Sequence, residues 1–186
     1  MGPVPRAEST REVTSSMPEP SIRPFAPADQ DGVRAVIETV FQEYGFTWEP
    51  DGYNLDCVQV ARHYILERGG FWVMEFDGRI IGTTGLKTLT EERCELCRMY
   101  LLAQYRGRGW GRRLFARTVQ EAQRIGYREM EIWSDKKLRE AHRLYSKSGA
   151  RPIGDRICND PDQAEEWGFL LDVRAFLKAT RGSRKP

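Results

Sequence analysis

The sequence predicts an α/β domain with a mixed, mostly antiparallel central sheet of about seven strands and helices on both faces. Three observations predict it. Segments with apolar residues at helical spacing are interleaved with segments of strand character. Asp77-Gly78 joins two strand segments as a tight hairpin turn. A further strand runs directly into the glycine loop Arg106-Gly107-Arg108-Gly109-Trp110-Gly111, and a helix follows the loop.

In chain order, Ile22 to Phe25 reads as a short strand ended by Pro27, and Asp29 is placed to cap a helix carrying Val33, Val36, Ile37, Val40 and Phe41. A polar and aromatic loop, 44–52, separates it from a second helix expected from Leu55 to Glu67 and stopped by Gly69-Gly70. Phe71 to Phe76, Arg79 to Lys87 and Arg93 to Leu101 form an antiparallel meander. After the glycine loop, Leu114, Phe115, Thr118, Val119, Ala122 and Ile125 mark one face of a helix ending at Gly126. Arg128 to Trp133 is a strand. Lys136 to Lys147 is a helix with Leu138, Ala141, Leu144 and Tyr145 inward, and Ala150 to Ile157 and Trp167 to Val173 are two closing strands.

The length of 186 residues suits one domain with a full core. Six of the ten prolines fall in the first 27 residues, so 1–20 reads as a disordered tail before a domain spanning 21–175. Residues 176–186 read as a basic tail, loose from Arg181 to Pro186. The net charge of +2 is too small to argue for a nucleic-acid or membrane surface. No apolar run approaches the roughly 20 residues of a membrane helix, and the N-terminus lacks the apolar core of a signal peptide. The expectation is a cytoplasmic protein that binds neither membrane nor nucleic acid. Four cysteines, at 57, 94, 97 and 158, are too few for a disulfide scaffold and read as reduced thiols. Cys94 and Cys97 lie three apart on one strand and so point to opposite faces, and no second pair completes a site; no metal is expected.

The chemistry is carried by the junction of strand, glycine loop and helix. A helix start offers unpaired N–H groups and the positive end of a dipole, and glycines let the backbone approach a ligand. Together they make an anion site, and Arg106, Arg108, Arg112 and Arg113 add charge suited to a polyphosphate. No Gly-Lys-Ser/Thr follows, which excludes a nucleotide-triphosphate P-loop, and the glycine spacing is not the dinucleotide fingerprint. Taken alone, the loop also fits a solvated glycine turn with a basic rim.

The stretch from Glu95 to Gly149 resembles the GCN5-related N-acetyltransferase (GNAT) family. Arg106-x-x-Gly109-x-Gly111 matches its signature loop, and the strand from Glu95 to Leu101 precedes it. Ala141-His142-Arg143-Leu144-Tyr145, continuing to Gly149-Ala150, is similar to the family's Ala-x-x-Leu-Tyr-x-x-x-Gly-Phe. The resemblance implies an acetyl-CoA-dependent N-acetyltransferase that moves an acetyl group to a primary amine by direct attack in a ternary complex, without a metal. It implies that the fourth strand splays from the fifth and that Met99, Tyr100 and Leu101 contact the pantetheine arm. The loop from Arg106 through Gly107, Arg108, Gly109, Trp110 and Gly111 to Arg112 would hold the pyrophosphate. Tyr145 matches the tyrosine that protonates the departing thiolate, and Glu95 sits where several members place the general base. Each has a structural alternative: Tyr145 as core, Glu95 as a paired strand carboxylate. Leu138 stands where many members carry an asparagine, so that contact is absent or moved to Ser134 or Lys137. Ala150 replaces the usual phenylalanine.

The acceptor pocket is expected from Phe41, Glu43, Tyr44, Phe46 and Trp48, with Trp167 opposite, a set suited to a cationic amine unless these aromatics only pack the loop on the core. His142 reads as a surface residue. The acceptor, a small molecule or peptide amine, is not named by the sequence, and a homodimer through the C-terminal strands is compatible with it. A non-catalytic acyl-CoA-binding module on the same fold is the alternative reading. A nucleic-acid binder using the Arg-Gly loop and basic tail is disfavoured by the near-neutral charge.

Overall fold

The computed structural model describes residues 19–66 and 68–182. Residues 1–18 and 183–186, which make up most of the expected N-terminal tail and the end of the C-terminal one, lie outside the described residues, as does Glu67. The strands are β1 (Ser21–Pro24), β2 (Gly70–Phe76), β3 (Arg79–Thr88), β4 (Arg93–Leu101), β5 (Glu129–Asp135), β6 (Arg151–Ile157) and β7 (Glu165–Asp172). They form one sheet in the order β1-β2-β3-β4-β5-β7-β6. Every pairing is antiparallel except that of β4 with β5. The expected sheet of seven strands is therefore present. At the β2–β3 turn, Asp77 and Gly78 both take positive φ, 50° and 70°, as a two-residue hairpin of this twist requires.

Alternation along β2 sends side chains to two cores. Phe71 and Val73 join Val33, Ile37 and Phe41 of α1 (Gln30–Tyr44), while Trp72 joins Phe115 and Val119 of α3 (Trp110–Ile125). The α3 side also takes Tyr145 of α4 (Arg139–Lys147) and Phe176 of α5 (Val173–Gly182). Helices thus cover both faces. α1 lies close on β3: a Cβ built on Gly32 would sit 2.9 Å from Ile80 Cγ1. The helix ends where Gly45 takes φ 68° and donates its N–H back to the Phe41 and Gln42 carbonyls. Gly45→Ala is expected to destabilise the fold by about 1 kcal/mol, read as a lower denaturation midpoint at unchanged slope.

The structure corrects several expectations. Asp29 does not cap α1 through its side chain; its carboxylate accepts the Ala26 N–H and a bidentate pair from Arg23 at 2.6 and 2.8 Å. The helix expected over 55–67 is broken into a single α-turn, α2 (Leu55–Val58), and a π-turn at Ala61–Ile65. The Gln30 side chain enters the break, donating to the Cys57 carbonyl and accepting from the Val60 N–H, and so replaces helical hydrogen bonds. α4 starts at Arg139 rather than Lys136, because Asp135 first caps a turn by accepting the Lys137 and Leu138 N–H groups.

The largest correction is at the C-terminus. The basic tail expected from 176 is helical up to Gly182, including Arg181 and Gly182 of the end expected to be loose, and the expected domain end at 175 falls inside α5. Val173, Phe176 and Leu177, at spacings of three and one, are buried, and the Phe176 ring meets Phe115 edge-on at 5.6 Å. The Asp172 carboxylate accepts the Ala175 N–H and starts the helix. Among the described residues no helix is long and apolar enough to cross a membrane.

Candidate active site

β4 and β5 pair in parallel only from Arg93–Leu96 to Glu129–Ile132. Beyond that point β5 pairs with β7 alone as far as Asp135, and β4 continues on β3 to Leu101. The two strands therefore part at the sheet centre. The register of β4 on β3 also slips between Thr83 and Gly85, opposite Arg98, which takes φ 51°. This bulge turns Arg98 to the α1 face, where strict alternation would have sent it to the α3 face with Cys94 and Leu96.

A cleft of about 250 Å³ lies at the parting. Met99, Tyr100 and Leu101 line one wall, Leu138, Ala141 and Leu144 the other, and Tyr145 and the glycine loop close the cleft. Gly107 and Gly109 take φ 75° and 79°, the left-handed region that glycine enters without strain. Among the described residues, none of the amides from Gly107 to Arg112 donates a hydrogen bond within the chain, so six successive N–H groups remain available. Gly111 differs from its neighbours: its φ is ordinary, and an added Cβ would meet nothing within 4 Å.

The arginines of the loop are not equivalent. Arg106 is spent within the fold, since its guanidinium donates to the Leu101 carbonyl at 2.8 Å and to both Glu43 carboxylate oxygens at 2.5 and 2.8 Å, and its own N–H donates to the Ala103 carbonyl. Arg113 pairs with Glu19 at 2.6 Å. Arg112 lines the cleft, and Arg108 lies over the Trp110 ring at 5.3 Å. Trp110 itself is core, packed on Phe76 and Tyr105.

Tyr145 is buried between Phe115 and Phe169, with ring centroids at 5.5 and 5.7 Å. Its hydroxyl has no hydrogen bond to another described residue, and it lines both this cleft and a gap of about 80 Å³ that continues between β4 and β5. Burial, with a smaller contribution from Tyr100, pushes the phenol well above its ordinary range, so it stays protonated. The gap leads past Arg98 and Trp133 into a third cavity, of about 640 Å³, on the α1 side. Glu95 lines that outer cavity and not the cleft. Burial raises its pKa against the opposing charges of Arg156 and Lys87.

Cys94 packs in the α3-side core and Cys97 against the α1-side core, on opposite faces, and all four cysteines are free. Among the described residues no group of three or more His, Cys, Asp or Glu is placed to hold a metal.

Of the expected acceptor residues, Tyr44 lines the cleft and Phe41 and Phe46 line the gap, while others are placed elsewhere. Glu43 is held by Arg106. Phe41, Phe46 and Trp48 form an edge-on aromatic cluster that packs their loop on the core. Trp167 lies on the opposite face of the sheet, 44% exposed, against the His142 ring at 4.9 Å. His142 is buried rather than on the surface, and it hydrogen-bonds Ser134 at 3.1 Å, so that side chain is already engaged.

The strongest polar cluster escapes the sequence reading altogether. The Asp56 carboxylate accepts from Arg98 Nε and Nη2 at 3.1 and 2.8 Å, from the Tyr64 hydroxyl at 2.5 Å and from Lys87 at 3.3 Å. Burial works to raise the Asp56 pKa, but the Arg98 charge and hydrogen bonds, with Lys87 and Tyr64, outweigh it and hold the carboxyl well below its usual range. The available sequence signal is an acid on a short helical turn facing a strand arginine displaced by a bulge, and bulges leave no pattern in a single sequence.

A sheet parted between the only two strands that pair in parallel among the described residues, with free amides and a helix start at the mouth of the opening, is the architecture of an acyl-CoA acyltransferase. The model of the acetyltransferase (GNAT) family matches residues 33–150, and the chain belongs to that family. It is 30% identical over 142 residues, 72% of this chain and 83% of the relative, to the uncharacterized N-acetyltransferase YjgM of Escherichia coli K12. It is 28% identical to rat N-acetyltransferase 8 over 55% of this chain and 49% of that one, and 28% identical to rat N-acetylaspartate synthetase over 54% and 34%. The chain thus spans half or less of these two mammalian relatives. Among solved structures, a GNAT acetyltransferase of Staphylococcus aureus Mu50 superposes with a TM-score of 0.74 at 18% identity, covering 83% of this chain and 99% of that one. The protein yncA of Salmonella typhimurium, solved with its cofactor acetyl-CoA, superposes with a TM-score of 0.65 at 18% identity, covering 83% and 94%. The protein is a GNAT-family acyltransferase.

Proposed function

We propose that this acyltransferase takes acetyl-CoA as donor and transfers the acetyl group to a primary amine in a ternary complex. The observation that carries the reading is the cleft itself, where one continuous space joins the free amides of the loop, the unpaired edge of β4 and the Tyr145 hydroxyl. The amides from Gly107 to Arg112, with Arg112, hold the pyrophosphate. Arg106 fixes the loop to α1 and contributes no charge to the phosphates. The pantetheine arm lies along Met99 and Tyr100; the Leu101 carbonyl is already taken by Arg106. The thioester then sits in the gap between β4 and β5. The amine nitrogen attacks the carbonyl carbon, the C–N bond forms, the C–S bond breaks, and Tyr145 gives its proton to the departing thiolate. Glu95, from the outer cavity, draws the amine proton through water.

Gly111 supports the placement of the phosphates. A methyl there meets no atom of the chain, so Gly111→Ala is expected to leave thermal stability unchanged and to raise the acetyl-CoA Kd about tenfold by occupying the ligand's space. Calorimetry beside a melting curve checks both. The reaction itself is tested by incubating the protein with acetyl-CoA and a broad panel of amines and reading release of the free CoA thiol. Thiol release that depends on an amine supports transfer. CoA binding without release on any amine would mark a binding module instead.

A further inference from the structure

The cavity beyond the gap carries further charges besides that of Glu95. It has two poles. At one, Arg98 and Lys87 share a single carboxylate, Asp56. At the other, Glu95 and Glu166 share a single cation, Arg156, at 3.8 and 2.7 Å. One end has a cation in excess and the other an anion in excess, in one cavity of about 640 Å³.

Arg98 is the unusual member. Its side chain is only 10% exposed. Nε and Nη2 donate to Asp56 and to the Tyr53 carbonyl, the guanidinium also hydrogen-bonds the Tyr100 hydroxyl, and among the described residues Nη1 donates to no carboxylate or carbonyl. The Tyr100 hydroxyl lies beside the guanidinium. Arg98 and Tyr100 line both the outer cavity and the gap that leads to Tyr145. The bulge in β4 is what aims the arginine there. A buried guanidinium with one nitrogen that meets no carboxylate or carbonyl of the described residues, at the junction of two cavities, matches the planar geometry of a carboxylate.

We infer that the acceptor is an amine that also bears a carboxylate, of the amino-acid type, with Arg98 receiving the carboxylate and the acidic pole of Glu95 and Glu166 receiving the ammonium group. This rests on the acetyl-transfer reading above. A plain amine filling the cavity would displace water from the cationic pole and put nothing in its place, which costs free energy. A zwitterion satisfies both ends. Sites built on such pairing discriminate strongly against analogues that lack the paired group, because the protein's own polar group is then left buried and alone.

The test uses the wild-type protein and acceptors in matched sets: each free amino acid, its α-carboxamide, and the amine of the same side chain without the carboxyl group. Acetyl-CoA binding is measured by calorimetry in parallel. For the preferred side chain, kcat/KM for the free acid is expected to exceed that of the amide and the plain amine roughly tenfold to a hundredfold. Arg98→Gln is expected to abolish the preference by raising KM for the acid alone; if that variant does not fold, the wild-type comparison decides. Absence of acetyl-CoA binding would remove the acetyl-transfer reading and this inference with it. Binding, with amides or plain amines acetylated as well as the acids, keeps the former and overturns the latter. Transfer confined to peptide amines, or to no amino acid at all, overturns it too.

Discussion

Tyr145→Phe is expected to lower kcat about 100-fold while leaving the CoA Kd within about twofold. The two effects separate because ring and hydroxyl do different work. The ring packs on Phe115 and Phe169, and phenylalanine keeps those contacts. The hydroxyl bonds to no other described residue and faces the space where the thioester sulfur would lie. Its loss therefore costs neither fold nor donor binding. What is lost is a proton at the moment the C–S bond breaks. Burial pushes the phenol well above its ordinary range, so the hydroxyl stays protonated at neutral pH and has a proton to give. Steady-state kinetics with calorimetry on both proteins checks the split. Equal turnover would reject the acid role, and a large loss of CoA affinity would assign Tyr145 to binding.

Asp56→Ala is expected to destabilise the fold by about 3–5 kcal/mol, a large share of the roughly 5–15 kcal/mol that holds a domain of ordinary stability together. Asp56 is 6% exposed, and it anchors Arg98 of β4 and Lys87 of β3 on the α1 face of the sheet. Removing the carboxylate leaves a buried guanidinium, hydrogen-bonded to the Tyr53 carbonyl and the Tyr100 hydroxyl, without its counter-charge. The pH dependence has a definite sign. Asp56 has a folded pKa below its unfolded value, so its contribution is fully present above the unfolded value of about 3.9 and is lost as pH falls toward the folded one. The difference between wild type and variant in urea denaturation is thus expected to be constant near neutral pH and to shrink in acid below about pH 4.

The glycine loop and the helices that line the cleft were legible in the sequence, and the Arg98–Asp56 cluster of the outer cavity was not. Hydrophobic alternation found the strands because each buries one face per core, as Phe71 and Trp72 do on opposite sides. The loop was legible because glycine alternation, the preceding strand and the Leu144-Tyr145 helix occur in sequence order. α5 was missed because its arginines and lysines outweighed three buried side chains at helical spacing, Val173, Phe176 and Leu177. The break at 59–60 was missed because the residue that makes it, Gln30, lies far away in the chain. Glu43 and Trp167 were assigned to the acceptor from residue type alone. The fold uses one to hold Arg106 and places the other on the far face. Arg98 was overlooked because a bulge reverses the face that alternation assigns to it.

The central claim is that the cleft at the parted strands is a CoA site. Calorimetric titration of the wild-type protein with acetyl-CoA and with CoA tests it most directly, with Gly111→Ala alongside. Saturable one-to-one binding in the micromolar range, weakened about tenfold by the added methyl at unchanged stability, is the predicted result. No heat of binding at millimolar ligand, or equal affinity in the two proteins, would contradict it.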